Sequence, residues 1–377
     1  MIYFDYAATT PVAKDIAEGY CQLVEKYFYN SESLYNQGIE VNRLQEKSRG
    51  NLAAMLNVAS EELIFTSGGS EANNMALKGI ALKYRNRGRH IISSAVEHSS
   101  IMATLEYLET YFDFEITYLP VDKGGKIDPA QLENAIREDT ILVSLMHVNN
   151  EVGAINPLDA IKAIVARHPK CFLHVDMVQS LAKLPCDLTG IDLASFSAHK
   201  LHGVKGSGLL YRRKGVNLEP LIHGGNQEFG LRAGTHNAPA NIILAKTLKN
   251  ALARQKQHLL HTAKLKEHFL KQISTIEDVK IISSDDALPS IVSIAMVGYK
   301  PEVILHELEA SGLLISTKSA CSTRNPGVSR VIEQLGLANE IASSAFRISF
   351  SLETSLEDVA TLAKALSQIK EKIRKSR

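Results

Sequence analysis

Hydrophobic and polar positions in this chain switch period again and again. Residues 39–56 carry apolar side chains at helical spacing among Glu, Arg, Gln and Lys, and the strand-like run Leu63-Ile64-Phe65-Thr66 follows. The two patterns then trade places: a helix over 71–83, a strand over 90–93, a helix over 99–111 and a strand over 115–119. Residues 140–148 read as a buried strand and 158–167 as a helix; 172–175, 193–196 and 207–211 read as three more strands. Such alternation predicts an α/β fold, a mainly parallel sheet covered by helices on both faces.

A long helical pattern over 241–273 follows, and the composition then shifts at the polar loop Ser283-Ser284-Asp285-Asp286. Beyond it a strand (291–297), a helix (301–310), a short strand near 313–316, a loop through Cys321, a strand (346–350) and a last helix from 356 predict a smaller α/β domain. With 377 residues the chain has room for two such cores. The first dozen residues mix small and hydroxylated side chains and read as an extended arm.

Composition narrows the function classes. Lys+Arg 42 against Asp+Glu 41 leaves a net charge of +1, which gives no footprint for direct nucleic-acid binding. No apolar run is long enough for a membrane span and no basic, apolar signal segment opens the chain, so a cytoplasmic location is expected. The four cysteines, Cys21, Cys171, Cys186 and Cys321, are too scattered for a zinc site or a disulfide framework. Cys21, Cys171 and Cys186 are expected to be structural.

In a parallel sheet the chemistry gathers at the carboxyl ends of the strands. Ser67-Gly68-Gly69-Ser70 offers a turn in which the backbone can approach an anion, with Ser70 expected to cap the next helix. His98, in Glu97-His98-Ser99-Ser100, puts an imidazole at a helix start, where it can stack on a flat ring and move protons. Asp176, directly after an apolar strand, is costly to bury unless it meets a donor, and a pyridinium N–H would satisfy it. One strand-helix-strand step later stands Lys200, in Ser195-Phe196-Ser197-Ala198-His199-Lys200, an amine suited to a Schiff base with a cofactor aldehyde. Ser70, Ser197 and His199 would lie near that cofactor's phosphate.

These motifs resemble the NifS/IscS-type cysteine desulfurases, in the class V branch of the pyridoxal-phosphate aminotransferase-like enzymes. The likeness runs through Tyr3 to Pro11, the block from Phe65 to Asn74, Glu97-His98, His147 to Gly153, His174 to Ser180, Ser195 to Lys200, Gly224 to Asn237, Ser319-Ala320-Cys321-Ser322 and Arg347-Ile348-Ser349. It implies an aminotransferase-like fold type I, with a seven-stranded sheet in a large domain at 12–255 and a small domain made of 1–11 and 256–377. It implies pyridoxal phosphate bound covalently by Lys200, with Asp176 on the ring nitrogen, Gln179 on the ring hydroxyl and His98 over the ring. Gly69, Ser70, Ser197 and His199 would hold the phosphate, and Thr235 would reach the phosphate of the other subunit of a homodimer. Asn150 and Arg347 would orient the substrate, L-cysteine, with Asn150 also near the cofactor.

Cys321 would accept the sulfur as a persulfide, leaving alanine, for delivery to an acceptor protein of iron–sulfur cluster assembly or tRNA thiolation. No metal is implied. The chain departs from the family pattern at Asn226, where a third glycine is expected, and at Met177-Val178, where smaller residues are; Lys318, Arg324 and Arg330 add positive charge around the cysteine loop. Alternative readings are a selenocysteine lyase or another class V aminotransferase-type enzyme, which need no such cysteine loop. A non-enzymatic scaffold would be expected to have lost Lys200 or Asp176, and both are present.

Overall fold

A computed structural model describes residues 1–317 and 327–372. The chain opens with β1 (Ile2–Tyr3), α1 (Lys14–Lys26) and α2 (Asn36–Leu56). The alternating part follows as β2 (Leu63–Thr66), α3 (Gly69–Tyr84), β3 (His90–Ser94), α4 (Ser99–Phe112), β4 (Glu115–Leu119), α5 (Pro129–Ala135), β5 (Thr140–Met146) and α6 (Leu158–Val165). It closes with β6 (Phe172–Asp176), β7 (Leu193–Ser197) and β8 (Gly208–Arg212). The 36-residue α7 (Ala238–Ile273) leads to β9 (Val279–Ile281), β10 (Ile291–Met296), α8 (Pro301–Ala310) and β11 (Leu313–Leu314). Last come α9 (Arg330–Gln334), α10 (Asn339–Ala342), β12 (Ala345–Ser349) and α11 (Leu356–Lys372).

Seven strands form one sheet in the order β2-β8-β7-β6-β5-β3-β4. Strands β4, β3, β5, β6 and β7 are parallel, while β8 runs against both β7 and β2. Two antiparallel pairings in succession restore the original direction, so the carboxyl end of β2 lies on the same edge as those of the parallel strands. The chain steps outward from β3 to β4 and returns to β5 on the other side of β3, which puts a topological switch point on that edge.

β3, β5, β6 and β7 are buried along their whole length, as both-face cover requires. One core, with Leu52, Val143, Leu173, Phe196 and Leu248, lies on one face; a second, with Met75, Ile80, Leu105 and Leu142, lies on the other. Each buried Leu or Phe contributes about 1.5–3 kcal/mol relative to exposure.

The smaller region departs from the simple alternation that its sequence predicts. Its sheet, β12-β10-β9, is antiparallel, and β11 pairs instead with β1 at the amino terminus. The predicted strand at 313–316 shortens to Leu313–Leu314, because Ser316 turns aside to bridge Arg347. Phe4 from the N-terminal arm is fully buried with Phe269, Phe346 and Phe350 in this region's own core. Helix α7 serves both regions: Leu244, Ala245 and Leu248 pack into the large sheet's core, and Leu265, Phe269 and Ile273 into the small one. Among the described residues no helix is long and apolar enough to cross a membrane. Cys21, expected to be structural, is exposed, whereas burial holds the Cys171 and Cys186 thiols up at about 12 and about 11.

Candidate active site

A cavity of about 260 Å³ opens at the carboxyl edge of the large sheet. Gly69, Ser70, His98, Asn150, Asp176, Gln179, Ser197, His199, Lys200 and Arg347 all line it, ten side chains or backbone segments singled out from sequence. The register explains the convergence: Met146 pairs with Asp176, Asp176 with Ser195, and Ser197 with Gly208, which in turn pairs with Thr66 of β2. Thr235 is exposed and does not line this cavity, and Cys321 lies outside the described residues.

At the anion-sized end, the backbone turns into α3 at Gly68, whose φ of 147° a larger residue rarely adopts. A side chain at Gly208 would collide with the Gly68 Cα at 2.6 Å, so Gly208 lets strand and turn approach, while Gly68 is needed for its backbone angle. Gly68, not Ser70, occupies the N-cap, and no side chain among the described residues caps the helix; Ser70 sits inside the first turn. That leaves the amide groups of the 16-residue α3 uncapped beside the cavity, with the helix dipole favouring an anion. The Ser197 hydroxyl, on a residue 4% exposed, has no hydrogen-bond partner among the described residues. His199 Nδ1 lies 3.2 Å from Thr9 Oγ1, and burial, with Lys200 adding, pushes its pKa down to about 4, so the ring is neutral.

At the other end, Asp176 accepts from the Val178 N–H at 3.0 Å and from Asn73 Nδ2 at 2.8 Å. Asn73 also donates to Ser100 Oγ at 2.9 Å, and Ser100 in turn lies 2.9 Å from His98 Nδ1. His98 caps α4: its Nδ1 accepts from the Ser100 backbone N–H, so the neutral ring carries its proton on Nε2. One network therefore joins the carboxylate to the imidazole. Asn73 was not singled out from sequence; the available signal is its place one turn after Gly69, on the same face of the helix.

Lys200 Nζ donates to the carbonyls of Ala7 and Ala8, each at 2.6 Å, so the N-terminal arm walls the site behind the amine. The arm's alanines were read only as part of a motif. Arg347 is 3% exposed; Nη1 donates to the Asn150 carbonyl at 2.7 Å and Nη2 to Asp5 at 2.7 Å, while Nε has no partner among the described residues. Next to His98 in the chain, Glu97 is buried and accepts from Ser94 Oγ and the Met146 N–H. Burial raises its pKa to about 8, keeping it protonated at neutral pH.

The set fits pyridoxal phosphate on its own geometry: an uncapped helix start with an orphaned buried hydroxyl for a phosphate, a donor-fed carboxylate for a ring nitrogen, and a lysine amine between them. The arrangement combines anion binding, proton transfer and covalent capture of a carbonyl.

The sequence model of the family described as Aminotransferase class-V matches residues 2–362. The chain is 38% identical over 377 residues to a protein of Dictyoglomus turgidum named cysteine desulfurase IscS, covering 99% of this chain and 95% of that one. A solved structure titled NifS-like protein superposes with a TM-score of 0.93 at 34% identity, covering 99% of this chain and all of its own. Another, titled SspA in complex with cysteine, gives 0.81 at 32% identity over 93% of this chain and 99% of its own.

Proposed function

The chain belongs to the class-V aminotransferase family, among its NifS/IscS cysteine desulfurases, and we propose that it uses pyridoxal phosphate to convert L-cysteine to L-alanine while Cys321 takes the sulfur as a persulfide. The convergence of Lys200, Asp176, His98 and Arg347 on one cavity carries the reading. Pyridoxal phosphate supplies, when bound, an electron sink for charge developing at the substrate's α carbon.

Everything else falls to the chain's own residues. Lys200 supplies the amine that holds the cofactor covalently, and the α3 start with Ser70, Ser197 and neutral His199 holds its phosphate. Asp176, kept oriented by Asn73 and Val178, holds the ring nitrogen, and Gln179 meets the ring oxygen. His98 moves a proton at its Nε2. Arg347, steadied by Asn150 and Asp5, receives the substrate carboxylate. The Cys321 thiolate attacks the substrate sulfur, the carbon–sulfur bond breaks with its electron pair left on carbon, and a proton completes alanine.

The same reading gives the division into a large domain at 12–255 and a small one of 1–11 with 256–377. It also makes the enzyme a cytoplasmic homodimer, with Thr235 serving the partner's phosphate. Phe28, Leu34 and Phe229 are 71%, 92% and 52% exposed, an apolar surface beside the Thr235 loop, which is tied to the same segment by the 3.0 Å contact of Ser31 with His236. The persulfide would pass to an iron–sulfur scaffold or a tRNA-thiolation enzyme.

The test is an absorbance spectrum of the purified protein before and after L-cysteine, with alanine and sulfide quantified, beside Lys200→Ala and Cys321→Ser. A yellow band lost in Lys200→Ala, alanine formed from cysteine and sulfide suppressed in Cys321→Ser are the expected results. Undiminished sulfide from Cys321→Ser overturns the persulfide step. Amino transfer from alanine to a keto acid would move the activity to an aminotransferase.

A further inference from the structure

Behind the cofactor cavity lies a second, of about 100 Å³, and Ala7 and Lys200 line both. Lys183 lines the second cavity and Gln179 the first, so the 2.8 Å hydrogen bond from Lys183 Nζ to Gln179 Oε1 crosses the wall between them. Lys183 is only 8% exposed. A buried amine without a carboxylate loses its hydration and gains no opposite charge. Its surroundings add to that cost: Arg347 of β12 opposes its charge, and Lys200, His202, Arg254 and His258 line the same cavity. Of the carboxylates there, Asp15 is tied to Lys246 and Asn250, while Glu353 accepts from Tyr6 and lies 3.7 Å from His202. Burial, with Arg347 adding, pushes Lys183 down to about 8.

What the amine contributes is direction. A primary amide offers an acceptor on one side and donors on the other, and only its neighbours decide which way it points. An ammonium has three donors and no acceptor, so the Gln179 carbonyl must face Lys183 and its NH₂ must face away. On that far side Nε2 donates at 2.9 Å to the Ala7 carbonyl, the oxygen that Lys200 Nζ also reaches at 2.6 Å. We propose that Lys183 is a positioning residue that locks the Gln179 amide with its NH₂ toward the cofactor cavity, so that a donor and never an acceptor meets the ring oxygen of bound pyridoxal phosphate. This rests on the reading that the cavity takes that cofactor. Lys183 itself touches neither cofactor nor substrate.

The experiment is a pH titration of the cofactor's absorbance in the reconstituted protein, with cofactor affinity measured alongside, for wild type, Lys183→Met, Lys183→Arg, Gln179→Leu and the Lys183→Met/Gln179→Leu double variant. Met removes one of the two groups that fix the amide and leaves only the Ala7 carbonyl to hold its NH₂, so a fraction of the molecules turn the amide over and present oxygen to the ring. Losing a donor to the anionic ring oxygen raises the chromophore's proton affinity, so the midpoint rises by about one pH unit. Arg, also a donor without an acceptor, stays near wild type, the second cavity giving it room. In the double variant the Lys183 change adds only a small remainder to Gln179→Leu, because both act through one amide. If Lys183→Met does not fold, Lys183→Gln replaces it: a partner that can accept as well as donate frees the amide and gives a shift of the same sign.

A normal wild-type band with an unmoved midpoint in Lys183→Met or Lys183→Gln overturns the inference alone, as does full additivity in the double variant. A wild-type protein with no cofactor band after reconstitution overturns the underlying reading, and this inference with it.

Discussion

The two walls of the cavity are held by different forces. On the sheet side, His98, Asn150, Asp176, Ser197 and Lys200 stand at or just beyond the ends of strands buried on both faces, so apolar packing fixes their positions. On the other side, Arg347 belongs to a three-stranded antiparallel sheet with a core of its own. That region meets the large one through an apolar cluster away from the cavity, where Val96 and Val152 pack with Val331, Ile332 and Leu335, and beside the cavity through polar bridges: Arg347 to the Asn150 carbonyl, Ser329 to Glu151 and Arg330 to the Glu97 carbonyl. A net hydrogen bond is worth about 1 kcal/mol, and a well-packed apolar side chain two or three times that. Groups that must not move are packed; groups that meet an arriving substrate are bridged.

If this contrast holds, the largest losses come from the packed wall. Lys200→Ala is expected to lower turnover by about 10³- to 10⁴-fold and to abolish stable cofactor attachment, measured as alanine formation and as absorbance after dialysis. Stability there depends on the ion cluster that ties the Thr235 loop to α2. Arg49, 2% exposed, donates to both oxygens of Glu228 at 2.8 and 2.9 Å, and Glu228 also accepts the Phe65 N–H. Arg49→Met leaves that buried carboxylate with only His236 and the Phe65 N–H, a loss of about 3 kcal/mol in denaturant unfolding.

The same pair sets an acid limit. Burial opposes the charge of Glu228, but bonds from Arg49 and His236 outweigh it and hold its pKa at about 2. The folded pKa lies below the unfolded one, so its contribution is present above the ordinary Glu value and is lost as pH falls through about 2. That contribution is about 3 kcal/mol. Unfolding free energy in wild type should therefore fall between about pH 5 and pH 2, more steeply than in Glu228→Gln; equal slopes would remove the cluster from the account.

How much of this was legible in the chain follows from the same contrast. The packed wall writes itself into sequence, because strands buried on both faces are continuous apolar runs and their ends carry the chemistry; nine residues read at those ends share one cavity with Arg347 of the small sheet. The direction of β8 was not legible, since a buried strand reads the same whichever way it runs. Helices α5, α9 and α10, of 7, 5 and 4 residues, are too short to show a period. Ser70 does not cap because Gly68, two residues earlier, takes the N-cap position with a backbone angle that composition alone does not reveal. Asn73, Ala7 and Lys183 act through contacts far apart in sequence or through the direction of an amide, and neither leaves a local pattern.

The bridged wall gives smaller and more selective effects. Arg347→Lys keeps the charge but loses the guanidinium fork, and is expected to lower kcat/KM for cysteine by about 10- to 100-fold, mostly through KM, with the cofactor spectrum unchanged. A spectrum that moved with it would mean that this wall also positions the cofactor.

The mildest test lies at Ser329, whose hydroxyl donates to Glu151 at 2.5 Å and accepts the Val331 N–H at 3.2 Å to cap α9. Ser329→Ala removes both bonds, and the Glu151 carboxylate, 7% exposed, loses one donor. The cost should be about 1 kcal/mol, seen as faster amide exchange in α9 and a slightly lower unfolding midpoint, with cofactor affinity unaltered. Glu151 follows Asn150, whose carbonyl steadies Arg347, so slack at this bridge reaches the substrate side first. A KM that rises a few-fold at constant cofactor affinity would place Ser329 on the bridged wall; a weakened cofactor with unchanged KM would mean that the two walls are one.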